Sequence, residues 1–71
     1  MVASFHRGLV AWVATFDFDG RERLAWLDRQ SGKWIWPHME RYDPATLGEL
    51  DFELTEKLKI WLKEKPSVPK S

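Results

Sequence analysis

The chain has no cysteine among its 71 residues, which excludes disulfides, thiolate metal sites and a cysteine nucleophile. It has no excess of either charge, since eleven Lys and Arg stand against eleven Asp and Glu. Such balance argues against general duplex nucleic-acid binding, which draws its affinity from phosphate neutralisation. It also removes any strong attraction to anionic membranes. Long hydrophobic runs are missing too. The longest apolar stretch, residues 9–16, is far too short to span a bilayer. It lacks the basic lead-in and small-residue cleavage site of a signal peptide. A cytoplasmic protein without membrane association is expected.

What the chain does have is aromatic mass, with five Trp and four Phe. A domain this small buries only about 60% of the surface its unfolded chain exposes. There is room for one sheet and one helix, and none for a nucleotide-binding α/β domain. Residues 1–66 are expected to form a single α+β domain, with 67–71 as a frayed tail beyond Pro66.

Residues 9–18 read as a long strand. Val10, Trp12, Ala14, Phe16 and Phe18 share one face, while Leu9, Ala11, Val13, Thr15 and Asp17 share the other. Both faces are apolar toward the middle, the mark of a strand covered on both sides. Asp19-Gly20 supplies a two-residue hairpin turn, because both central positions of a type I′ turn need positive φ. Residues 21–28 return as the second strand, with Leu24 and Trp26 on one face and Ala25 and Leu27 on the other. Asp28 and Gly32 then bracket a second turn, and Trp34-Ile35-Trp36 begins a third strand that Pro37 cuts short. A three-residue and a four-residue loop here place Trp34 and Trp36 on opposite faces.

Asp43-Pro44 looks like a helix start, aspartate as N-cap and proline at the first helical position. Leu47, Leu50, Leu54, Leu58, Trp61 and Leu62 then keep helical spacing along one stripe. Gly48 weakens the first turns, and the alternation Leu50, Phe52, Leu54 offers a fourth strand as the competing reading. One helix, kinked or not, is favoured. Six acids over residues 40–56 lead into five lysines over 57–71, an order that suits a helix dipole.

Few residues carry a motif for chemistry. Ala14 to Gly20, a hydrophobic strand ending Asp17-Phe18-Asp19-Gly20, resembles the first motif of haloacid-dehalogenase-type phosphatases. The resemblance implies Asp17 as nucleophile and Asp19 as acid and base. It covers about seven residues. That family needs a full parallel α/β domain, and Arg21 stands where it usually has Thr. Asp17, Asp19 and Asp28 also suggest calcium, but an EF-hand loop needs Gly at its sixth position, where Glu22 stands. Residues 25–36 resemble one hairpin of a quinoprotein-type propeller blade, a likeness of turn chemistry. His6 and His38 have no tight ligand spacing around them. No catalytic residue, metal or cofactor is expected.

The expected architecture is therefore a three-stranded antiparallel β-meander followed by one C-terminal amphipathic helix packed on the sheet. One helix covers one side only, so the second apolar face calls for a partner, and a homodimer is the commonest arrangement. The candidate interaction residues are Trp12, Trp34, Trp36, Phe52 and Ile60, the last two because they point away from the helical stripe. The expected function is a small non-enzymatic interaction module, an adaptor or inhibitor of a larger assembly. The alternative is single-stranded nucleic-acid binding, with Trp34 and Trp36 stacking bases beside Arg21, Arg23, Arg29 and Lys33.

Overall fold

The structure, a computed structural model, describes residues 1–64; the helix stop at Pro66 and the tail 67–71 lie outside the described residues. The fold is α+β. Strands β1 (Ala3–Arg7), β2 (Ala11–Phe18), β3 (Arg21–Asp28) and β4 (Trp34–Ile35) form an antiparallel sheet in the order β1-β2-β3-β4. A single helix, α1 (Pro44–Glu64), follows.

The meander has one strand more than expected, at its N-terminal edge. In Ala3–Arg7 only Phe5 is buried and the other positions are small or polar. An edge strand that contributes one core side chain carries almost no periodic signal. The β2 strand also begins two residues late, because Leu9-Val10 form the β1–β2 turn, with the Gly8 N–H donating to the Ala11 carbonyl at 2.9 Å. Gly8 is required there by contact. A Cβ would sit 2.5 Å from the Ala11 carbonyl oxygen.

The other turns follow their residues. Asp19 and Gly20 have φ of 56° and 76°, the left-handed pair that a type I′ hairpin demands. Between the hydrogen-bonded pair Asp28 and Lys33 the β3–β4 hairpin loops over four residues, 29–32. Leu27 pairs with Trp34, the Asp28 N–H reaches the Lys33 carbonyl at 2.9 Å, and Gly32 takes the left-handed position at φ 75°. The Asp28 carboxylate accepts the Ser31 N–H at 2.9 Å. Hydrogen bonding by the Ser31 side chain, and then by its backbone, holds that carboxyl below the usual carboxylate range.

This register decides the faces. Ala14 and Ala25 oppose each other, both fully enclosed, with Phe5 beside Ala14 on β1. Two alanines at the middle of the sheet let the helix lie close, and Leu50, Leu54 and Leu58 fill the space above them. Trp34 pairs with Leu27 and so faces the helix. The helix runs unbroken through Gly48, so the fourth strand at Leu50 to Leu54 is not formed. Its start is as read: the Asp43 carboxylate accepts the Thr46 N–H at 3.0 Å. The stripe fails only at its end, where Leu62 is exposed.

The segment between β4 and α1 closes the core's remaining side. The Met39 N–H bonds to the Trp36 carbonyl and the Tyr42 N–H to the Met39 carbonyl, both at 3.2 Å. Two successive turns result, and their shared residue, Met39, is completely buried. Pro37 and His38 are the central residues of the first, and His38 has φ of 64°. Proline then positive φ is the type II pattern, with His38 where glycine usually stands.

Candidate interaction surface

The sheet is covered on one side. On the other, β-strand alternation brings His6, Val13, Trp26 and Ile35 into a row across all four strands. Leu24 lies in the next row, opposite Thr15. Beyond Ala11 the Leu9-Val10 turn adds two further apolar side chains, 98% and 75% exposed. Leu9, Val10, Val13, Trp26 and Ile35 line a shallow depression of about 370 Å³. The opposite end of the same face is acidic, with Asp17 paired to Glu22.

Chemically this face is a hydrophobic band with little polar guidance. Trp26, on the inner strand β3, and Ile35, on the edge strand β4, are exposed side chains on paired strands rather than on a loop. Strand pairing holds their backbone, so docking against them loses little backbone entropy. The arrangement suits burial against another apolar surface.

The five residues expected to form a contact surface are distributed over three environments. Trp12 lies on the helix side, its ring 5.8 Å from that of Trp61 and nearly perpendicular to it. The Arg29 guanidinium covers Trp12 at 5.3 Å, while Arg29 Nη1 donates to the Gly8 carbonyl at 2.9 Å. Trp34 is buried, and its indole N–H donates to the Thr55 hydroxyl at 3.0 Å. Trp36 is half-buried, stacked on Trp34 at 5.7 Å and edge-on to Phe16. Phe52 is 69% exposed on the outer side of the helix, and Ile60, 53% exposed, lies on its flank beside Val2 and Ala3. None of the five lies on the open face. Base stacking on Trp34 and Trp36 needs free ring faces, and these two rings cover each other while Trp34 is also enclosed.

The tryptophan on the open face is Trp26, which sequence reasoning left out of the candidates. Its signal was present in the alternation of residues 21–28, which puts Trp26 opposite Ala25 and Leu27. Which of those faces the helix would cover was the missing fact.

A second concave region lies on the helix side of the sheet, past the end of the core. It is a polar cleft of about 740 Å³ between the β2–β3 turn and residues 38–42. The Tyr42 hydroxyl accepts from Arg23 Nη2 at 2.7 Å and donates to Asp19 Oδ2 at 2.8 Å, joining the two segments. That bond to Asp19 is the chief cause of a phenol pKa above its ordinary value. Tyr42 also packs edge-on against Phe18, with centroids 5.5 Å apart.

Asp17 and Asp19 diverge to opposite faces of the hairpin, and Asp28 is at the far end of β3. Among the described residues no three carboxylate or imidazole side chains converge as a metal site requires. No described helix is long and apolar enough to cross a membrane. In comparisons with known proteins, no family model, no curated protein and no solved structure matches the chain.

Proposed function

We propose that this protein is a small non-enzymatic interaction module that pairs with a second copy of itself through the open face of its sheet. In that form it acts as an adaptor or inhibitor of a larger assembly, by occlusion or bridging. The observation that carries the reading is the row Val13–Trp26–Ile35, extended by Leu24 and by the exposed Leu9-Val10 tip. Exposed apolar patches beyond a few hundred Å² are uncommon on soluble monomers. A two-fold axis sets each row against its own copy, and sheets pack well face to face at about 10 Å. The same reading puts the protein in the cytoplasm, where a chain without cysteine loses nothing to reducing conditions.

The size of the face sets the strength. Strands of five, eight, eight and two residues, about 3.4 Å per residue and about 4.8 Å apart, offer on the order of 370 Å² a side. A pair then buries roughly 750 Å² of sheet, to which the Leu9-Val10 tip adds, which is the range of weak, transient interfaces. Such a dimer is weak and should dissociate at roughly tens of micromolar.

Light scattering after size exclusion, run as a concentration series, tests this directly. Twice the monomer mass is expected at about 100 µM, falling on dilution. Trp26→Glu should give a monomer that keeps the wild-type circular dichroism. Phe52→Glu, on the outer helix face, should leave the dimer intact. A wild-type monomer throughout, or a dimer lost with Phe52→Glu and kept with Trp26→Glu, overturns the assignment.

A further inference from the structure

The polar cleft holds three guanidinium groups, and their partners do not balance them. Arg23 is fixed: Nε donates to the Phe18 carbonyl at 3.2 Å, Nη2 to Tyr42, and the side chain is only 15% exposed. Its guanidinium also lies 5.4 Å from the Tyr42 ring centre. The nearest carboxylate, Asp19, is 3.8 Å away and already accepts the Tyr42 hydroxyl. Arg21 and Arg41 line the same cleft and make no hydrogen bond or ion pair among the described residues. The same holds for His38 and Glu40.

Like charges gathered around a concavity raise the potential inside it, and an anion entering relieves their mutual repulsion. One guanidinium is already oriented by three contacts, so its cost of ordering is largely met before binding. The backbone adds a second, independent sign. His38 holds positive φ in a turn position where glycine is free of strain. Met39, sunk in the core, and Tyr42, bonded to Asp19 and Arg23, fix the turn on either side. The turn, held from both sides, keeps the His38 imidazole at the rim of the cleft.

We infer that this cleft binds a small phosphate monoester, with Arg21, Arg23 and Arg41 around the phosphate and the Glu40 and Asp19 carboxylates accepting from hydroxyl groups beside it. Guanidinium forks match the paired oxygens of a phosphate, and the three in this cleft outnumber its two carboxylates. The two acids in the cleft disfavour a continuous polyanion but suit a ligand that carries one dianionic group and neutral donors. A volume of about 740 Å³ falls in the range of small-molecule sites. The cleft is on the helix side of the sheet, opposite the proposed dimer face, so either assignment can fail without the other.

Amide chemical-shift titration of the full chain with glucose 6-phosphate, inorganic phosphate and glucose, at about 20 mM salt, provides the test. Glucose 6-phosphate should give saturable shifts confined to residues 19–23 and 38–42, displaced by inorganic phosphate, with glucose silent. Arg21→Ala with Arg41→Ala should weaken binding at least about tenfold. Both side chains are exposed and unbonded, so the melting temperature should not move. His38→Gly should raise the melting temperature, because glycine relieves the positive φ. No saturable shift up to about 10 mM ligand, or shifts that survive the double substitution, overturns the inference.

Discussion

The indole N–H of Trp34 donates to the hydroxyl of Thr55 at 3.0 Å, tying the two-residue edge strand to the middle of the helix across the core. Trp34 is buried, so this N–H has little access to water. Replacing Thr55 by Val keeps the shape and removes the acceptor. The cost of an unsatisfied buried donor is about 1–3 kcal/mol. Thermal or urea melts of Thr55→Val should show a loss in that range, with the circular dichroism unchanged.

The helix should divide sharply by face. Leu58 is among the three buried leucines of α1, whereas Lys59 is exposed and, among the described residues, pairs only with Glu56, at 3.3 Å. Leu58→Ala should cost about 2–5 kcal/mol. Lys59→Ala should change stability by less than about 0.5 kcal/mol, as exposed ion pairs contribute little. Urea midpoints at constant slope report the difference.

Two glycines should resist substitution for different reasons. Gly8→Ala puts a Cβ 2.5 Å from a backbone oxygen, and only movement of the Leu9-Val10 turn relieves it. Nothing lies within 4 Å of a Cβ at Gly20, but its φ is 76°. Gly20→Val should therefore cost about 1–2 kcal/mol from conformation alone. Gly20→Asn, which tolerates the left-handed region, should recover most of that loss. Melting temperatures of the three variants separate crowding from strain.

Stability should fall in acid through two aspartates. Hydrogen bonding from the Thr46 side chain, and then its backbone, holds Asp43 below the usual carboxylate range, as Ser31 does for Asp28. A carboxyl whose pKa is depressed by folding stabilises above its unfolded pKa. That contribution is lost as pH drops through the folded value, in this case below about pH 4. Asp43→Asn keeps a good cap and removes the titration. Its melting temperature should fall less than wild type between pH 5 and pH 3 (scan limits of about those values).

By itself the sequence determined the class of fold, the Asp19-Gly20 hairpin, the Asp43 cap and the leucine stripe of the helix. Each of these is encoded within a few neighbouring residues: positive φ at a turn, an oxygen three residues from an amide, a 3.6-residue period. It also determined that both faces of β2 are apolar, and hence that one helix would leave a face open. Only the tertiary structure decided which tryptophans those faces carry. A four-residue loop, not a three-residue one, turned Trp34 inward onto Thr55 and left Ile35 beside Trp26 outside. That choice belongs to the packing of the whole core, since a slip of one residue exchanges every side chain between faces. The edge strand Ala3–Arg7 was likewise decided by pairing with β2, because Phe5 alone gives it no pattern of its own. The arginine cleft has no local signature at all. Arg23 and Tyr42 are 19 residues apart, and what brings them together is Met39 anchoring the intervening turns in the core.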